Sequence, residues 1–303
     1  MSRNQCVLVR NAATAHRPHR RVCPALVLAP MIWALSCFAS APVAGANSPI
    51  NVATYNLRYD TPDDGPNAWG FRVDAIKALI RFHEFDLLAT QEGLPAQIDA
   101  LAEMNEYAHV GVGRDGGNTG EHSAIFYRQT RFALLTHGDF WLSETPDKPS
   151  KGWDARCCNR LATWVRLQDK LSHKTLLAVS VHFDHQGQVA KRESAKLLLG
   201  WLEQQTRGDA VIVMGDFNST PTTEQIVSMS AALRDASTVS LEPAFGPSAT
   251  FNGFKFGQAP RERIDYIFLG PKVRVLKFAV LTDSDGQRYP SDHFPVLARI
   301  ELE

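Results

Sequence analysis

The chain predicts an α/β (α+β) fold, with two mixed β-sheets packed on each other and helices on their outer faces. Three observations lead there. Its 303 residues are 44% hydrophobic and 21% charged, which supplies a large core, and α/β layers of this size often form one domain. Short apolar runs bounded by turn residues outnumber amphipathic helical stretches. These runs also follow one another in antiparallel-looking pairs, so simple strand–helix alternation fails and a nucleotide-binding doubly wound sheet is disfavoured.

The elements follow in order. Residues 50–57 form an apolar run that reads as a buried strand ending at Asn56. A loop rich in Pro, Gly and Asp spans 60–66, and 71–82 then spaces Val73, Ile76, Leu79 and Ile80 on one helical face. A strand over 86–91 precedes a helix over 95–104, which has proline at its first position. Strands are predicted at 107–112, 123–127, 132–141, 162–167 and 176–183, and a long amphipathic helix at 188–205. The strand over 210–214 opens into Gly215-Asp216-Phe217-Asn218. Residues 233–263 are loop-rich, and 264–269, 273–282 and 294–302 give the last strands.

Residues 1–46 stand apart. They hold no acidic residue, carry Arg17, Arg20 and Arg21, run apolar from Val22 to Phe38, and end in Ala44-Gly45-Ala46. That pattern predicts a cleaved export signal, with 47–303 as a periplasmic or secreted monomer. A membrane anchor is the alternative, but Pro24, Pro30, Ser36 and the short apolar length oppose it, so no stable membrane insertion is expected after cleavage. A lipoprotein cleaved before Cys37 fits less well because Leu35 stands one position late, and 1–16 read as an extension ahead of a later start codon. Losing 1–46 removes five basic residues and leaves 27 against 32 acidic ones, a net charge of −5. Tight non-specific binding to duplex DNA needs a basic face that releases counterions. This balance favours a small or partly exposed phosphate ester. Of five cysteines only Cys157 and Cys158 remain in 47–303. Adjacent α-carbons stand only about 3.8 Å apart, so the pair reads as two small loop residues, a vicinal bridge being the alternative. A structural zinc site is not indicated.

Four motifs carry the chemistry. Thr54-Tyr55-Asn56, Gln91-Glu92 and Gly215-Asp216-Phe217-Asn218 each close an apolar run, and Ser291-Asp292-His293 precedes the final one. Strand ends would thus gather carboxylates, amides and an imidazole into one site. Hydrolysis of a phosphate ester needs that set: oxygen ligands for a hard cation, a base for water, and a cationic donor. Asp216 and Asn218 are separated by one residue, which puts both on one side of an extended segment. Asp265 lies inside an apolar strand, where an unpaired carboxylate is costly, so it needs a partner. Each residue alone has a plainer reading: an Asx turn, a cap, or a satisfied core histidine.

In this order the motifs resemble the endonuclease/exonuclease/phosphatase superfamily, which includes deoxyribonuclease I, apurinic endonucleases, deadenylases, inositol-polyphosphate 5-phosphatases and bacterial sphingomyelinases. The resemblance covers nearly all of 50–302, and the segments 56–69, 141–160 and 182–188 are similar to exported bacterial members related to deadenylases. It implies a four-layer αββα sandwich with its site at one edge, between the sheets. It further implies Glu92 as the principal ligand of Mg2+ or Mn2+, with Asn56 and Asp292 beside it. Asp216 would orient or deprotonate water, and Asn218 would hold metal or phosphate. His182 and Tyr127 would contact the phosphate, and Asp265 would orient His293 as base or donor. The chain departs from the apurinic endonucleases at Arg58, where they carry an aspartate. Trp69, Trp153, Arg156 and Arg160 are candidates to stack on a base or sugar or to grip a phosphate, with Asp184 and His185 at the same mouth. The expected activity is metal-dependent hydrolysis of phosphodiesters by a nuclease (3'-5' exonuclease-like, on single-stranded nucleic acid) or a nucleotide phosphodiesterase. The alternatives are a phosphatase or phosphodiesterase acting on a lipid headgroup or sugar phosphate, and an inactive binding protein. The intact acidic and histidine set argues against the last.

Overall fold

The computed structural model describes residues 48–206 and 208–303; the export signal expected over 1–46 lies outside the described residues. Its strands in chain order begin with β1 (Ile50–Asn56), β2 (Leu87–Gln91), β3 (Tyr107–Val110), β4 (Ile125–Arg128), β5 (Phe132–Trp141) and β6 (Leu161–Asp169). There follow β7 (Thr175–His182), β8 (Ala210–Asp216), β9 (Arg234–Asp235), β10 (Asp265–Leu269), β11 (Val273–Val280) and β12 (Val296–Leu302). The helices are α1 (Val73–Phe82), α2 (Pro95–Ala102), α3 (Gln188–Gln205), α4 (Glu224–Ala232) and α5 (Ala236–Val239).

Two six-stranded sheets result, in the orders β11-β12-β1-β2-β4-β3 and β5-β6-β7-β8-β10-β9. Both are mixed. In each the central pair is parallel, β1 with β2 and β7 with β8, while the flanking pairs are antiparallel. Side chains alternate between faces along every strand, so each strand serves two cores. Val52, Leu87, Ala89 and Ile125 meet Leu176, Ala178, Ile212 and Met214 between the sheets. On the outer face of the first sheet, Tyr55, Leu88 and Phe126 pack under Ile76, Ile80 and Leu101 of α1 and α2. On the other outer face Val179, Val213 and Phe268 pack under Leu198 and Leu202 of α3 and Ile226 and Met229 of α4. At about 1.5–3 kcal/mol for each large side chain buried, these three cores are what hold four layers together. The expected αββα sandwich is therefore the observed one.

Helix α4 was not anticipated, because its buried residues, Gln225, Ile226 and Met229, make too thin an apolar stripe to stand out in sequence. The loop over 60–66 likewise winds into short 3-10 turns, Pro62–Asn67 and Trp69–Phe71.

The same alternation places the chemistry. Thr54, Gln91 and Ser180 face the inter-sheet space and are hydrogen-bonded there, Thr54 Oγ1 donating to Gln91 Oε1 (3.2 Å) and Gln91 Nε2 to Ser180 Oγ (3.3 Å). This polar layer ends the apolar core at one edge of the sandwich. Asn56, His182 and Asp216, two residues further along β1, β7 and β8, lie on the same inner face. Gly215 makes the approach possible: it pairs with Val181 of β7, has φ 155°, and a Cβ there would strike the Val181 carbonyl. Gly215→Ala is therefore expected to cost about 1–3 kcal/mol in chemical denaturation, the usual penalty for overpacking, and to lower activity by displacing Asp216.

Candidate active site

Register brings the site together. His182 and Asp216 are paired at the ends of parallel β7 and β8, and Asp265 opens β10 directly opposite Asp216. Across the gap Asn56 and Gln91 are paired at the ends of β1 and β2. Glu92 then leaves its strand with φ 63° and Asn218 with φ 46°, left-handed conformations uncommon outside glycine.

Asn56 links the two sheets. Its Nδ2 donates to Glu92 Oε1 and to Asp216 Oδ2, both at 3.0 Å, while its Oδ1 accepts from the Arg58 backbone N–H (3.0 Å). Glu92 Oε2 accepts from the Tyr59 N–H (3.1 Å), and Asp216 Oδ1 from the Asn218 N–H (2.8 Å). The Asn218 amide donates to the Phe183 carbonyl (3.0 Å) and meets His182 Nε2 at 3.1 Å, which makes Nε2 the acceptor. Ligating atoms of Glu92, His182 and Asp216 all lie within 4.8 Å of one another.

Asp265 finds the partner that burial demands. Its Oδ2 accepts from His293 Nδ1 (2.9 Å) and from Thr250 Oγ1 (2.5 Å), and His293 Nε2 stands 3.9 Å from Asp216 Oδ2. Burial pulls the His293 imidazole down, but Asp265, Asp216 and Asp292 together outweigh it and hold the ring well above its ordinary value. His293 is thus a cation at neutral pH. Burial, reinforced by Asp265, pushes the Asp216 carboxyl up to about 7. Burial also raises Asp292. His182, buried and facing Arg160, is held well below its ordinary value and stays neutral.

These groups line a cavity of about 660 Å³, together with Arg58, Tyr59, Arg114, Glu121, Cys157, Cys158, Arg160, His185 and Phe251. A sequence profile of the Endonuclease/Exonuclease/phosphatase family matches residues 53–293, which span both sheets and every motif above. The chain belongs to that family. Among solved structures it is similar to the endonuclease/exonuclease/phosphatase from Bacteroides vulgatus, at 36% identity and TM-score 0.81, over 84% of this chain and 100% of that one. It is equally similar to the mannosyl-6-phosphatase of Bacteroides thetaiotaomicron VPI-5482, at 36% identity and TM-score 0.80, over 84% and 100%. The human Nocturnin catalytic domain with bound sulfate shares the fold at 22% identity and TM-score 0.66, over 84% and 94%. No curated protein matches the sequence. Members of the family are phosphoester hydrolases, and this protein is one.

Several expected site residues lie elsewhere. Tyr127 sits in the inter-sheet core, paired with Leu87 at the start of β2. It does end its strand, but β4 runs antiparallel to β2, so that end points away from Glu92. Trp69 is buried under the first sheet with Arg72 5.4 Å over its ring. Its service to the site is indirect, since Arg72 donates to the Leu57 carbonyl (2.8 Å) and the Pro290 carbonyl (2.7 Å), bracing the turn that presents Asp292. Arg156 is exposed and outside the cavity lining. Cys157 and Cys158, expected as loop residues, lie side by side in the cavity lining, α-carbons 3.7 Å apart. Arg160 and His185 do line the cavity, Arg160 Nη2 meeting His185 Nδ1 at 3.0 Å. The sequence reading missed Arg114 and Glu121, although both flank an obvious Gly-rich turn.

The donor set fits a divalent cation. Glu92, Asp216 and Asp292 crowd carboxyl oxygens into one corner, burial raising Asp216 and Asp292 against ionisation. A cation would relieve that cost. Glu92 and Asp292, with Asp216, are the residues that would hold it. The sign of the pH dependence follows. Asp216 binds a proton in the folded state up to about 7, against 3.8 ordinarily, so its contribution is lost as pH rises across that window. The contribution of His293, raised above 6.5, is complete below that value and is lost as pH rises through its folded value. Both act in one direction. Protein in chelator should therefore lose stability as pH rises from about 4 through 7 and beyond, and added Mn2+ or Mg2+ should flatten that slope in denaturant titrations.

Proposed function

We propose that this protein is a phosphatase that removes phosphate from a sugar phosphate, using Mg2+ or Mn2+. The observation that carries the reading is the wall that shares the cavity with the carboxylates: Arg114, Glu121 and Arg160 bound it with mixed charge. Such a wall suits a compact polar leaving group better than a long anionic strand. The net charge of −5 for residues 47–303 agrees with it, as does the 36% identity to a protein named mannosyl-6-phosphatase.

The chain's own groups divide the work. Glu92 and its neighbours would hold the cation, which would supply charge neutralisation at the phosphate oxygens. Asp216, whose carboxyl titrates near 7, takes a proton from the attacking water. The water oxygen bonds to phosphorus as the ester P–O bond opens on the far side, and the departing sugar oxygen takes its proton from solvent. Protonated His293, oriented by Asp265, donates through Nε2 to a phosphate oxygen, where negative charge builds up. Asn56 and Asn218 hold the Asp216 carboxylate in place, and Asn218 also holds the neutral His182 imidazole.

Asp216→Ala and His293→Ala should each lower kcat/KM by about 10²–10⁴-fold, the range for a lost acid or base, with the circular dichroism spectrum unchanged. Rates within a few-fold of wild type would remove either residue from the mechanism. A substrate panel with Mg2+ or Mn2+ tests the reading: hexose 6-phosphates should turn over faster than single-stranded RNA or DNA, bis-p-nitrophenyl phosphate or phospholipid. Faster release of mononucleotides from oligonucleotides would make the enzyme a nuclease instead. We further propose export through residues 1–46. N-terminal sequencing of protein expressed from the whole gene should begin near Asn47, and a retained Met1 would refute it.

A further inference from the structure

One part of the cavity has no role in that chemistry. Residues 113–122 form a hairpin in which the Arg114 N–H donates to the Glu121 carbonyl (2.9 Å) and the Asp115 N–H to the Thr119 carbonyl (3.0 Å). Gly116, Gly117 and Gly120 supply the positive φ values of the turn, 99°, 56° and 81°. The hairpin is docked at both ends. His122 bridges to Gly93, the residue after Glu92, with a 2.8 Å hydrogen bond to its carbonyl. Trp141 Nε1 donates to the Arg114 carbonyl (2.7 Å), and Asn159 Nδ2 to Asp115 Oδ1 (3.0 Å).

Being opposite each other on this hairpin, Arg114 and Glu121 pair at 2.6 Å, with side chains 17% and 14% exposed. Both line the cavity beside the carboxylates. Buried Arg160 adjoins them, its Nε and the Nε of Arg114 both lacking a hydrogen-bond partner. Burial, only partly offset by Arg114, pushes the Glu121 carboxyl up to about 7. Holding such a pair out of water at a cavity wall is costly unless a ligand completes it.

The pair's chemistry narrows that ligand. A carboxylate beside a guanidinium offers an acceptor and a set of donors side by side. A second phosphate would be repelled by Glu121, and an ammonium group by Arg114 and Arg160. A hydroxyl both donates and accepts, and two neighbouring hydroxyls satisfy both partners at once. We propose that Arg114 and Glu121 form the leaving-group subsite, Glu121 accepting from one sugar hydroxyl and Arg114 donating to the next. This rests on the sugar-phosphate reading above and assigns its specificity to the hairpin.

The test compares mannose 6-phosphate and glucose 6-phosphate with p-nitrophenyl phosphate, which has no hydroxyls to read. Glu121→Gln and Arg114→Lys should each lower kcat/KM for the better hexose phosphate by about tenfold or more, mainly through KM. On p-nitrophenyl phosphate the same variants should stay within about twofold of wild type, with the melting temperature of each variant measured alongside. Equal losses on both esters, or none on either, would overturn the subsite while leaving the sugar-phosphate reading intact. Wild-type protein that cleaves p-nitrophenyl phosphate or oligonucleotides but no hexose phosphate would overturn both.

Discussion

Crowding of like charge at one edge of the sandwich is the constraint around which this molecule is arranged. Glu92, Asp216, Asp265 and Asp292 come from four separate strand ends and share one cavity wall or its immediate backing. Left to themselves, buried carboxylates a few ångströms apart would repel and force the sheets open. The structure meets that repulsion in three ways. Asn56 donates to two of the carboxylates, His293 carries a positive charge to Asp265 and Asp216, and Asp216 keeps a proton to near neutral pH. A divalent cation would be the fourth. Two of the groups that offset this repulsion, Asp216 and His293, are therefore the ones to which the proposed mechanism gives the proton and the donated hydrogen bond.

The two sheets contribute unequally. The second brings His182, Asp216 and Asp265 through direct register, which fixes them rigidly relative to one another. The first brings Asn56 and Glu92, and the turn carrying Asp292 is braced by Arg72 rather than by sheet pairing. Contact between the halves at the site passes through the Asn56 amide and through His293, which reaches from the turn before β12 to Asp265.

The hairpin over 113–122 closes the cavity from a third direction. Its attachments are single hydrogen bonds to Gly93, Trp141 and Asn159 rather than a continued ladder. Such a segment is where relatives with the same catalytic edge can differ in leaving group, since its changes leave the strands beneath undisturbed. On the proposed mechanism this divides labour physically: the sheet ends carry the phosphate chemistry, and the hairpin bears on what the phosphate is attached to.

Much of this was legible in the residues. Apolar periodicity located every strand longer than two residues and the helices α1, α2 and α3, though not α4, because alternation and helical stripes are local properties. The motifs named Glu92, Asp216, Asp265, Asp292 and His293, since a polar residue closing an apolar run is visible without a partner. Direction was not legible. Tyr127 also closes an apolar run, yet β4 runs the other way and carries it to the opposite edge of the sandwich. Trp69 gave no sign that it would be buried beneath Arg72, because that contact depends on α1 packing against the sheet. The Arg114–Glu121 pair was equally silent, as two opposite charges across a glycine turn acquire meaning only once His122 docks on Gly93. What the sequence determined by itself is the inventory and the layering, both set by short-range pattern. What tertiary structure decided is which strand ends meet, and how protons are shared among them, because burial and through-space charge exist only after the sheets close.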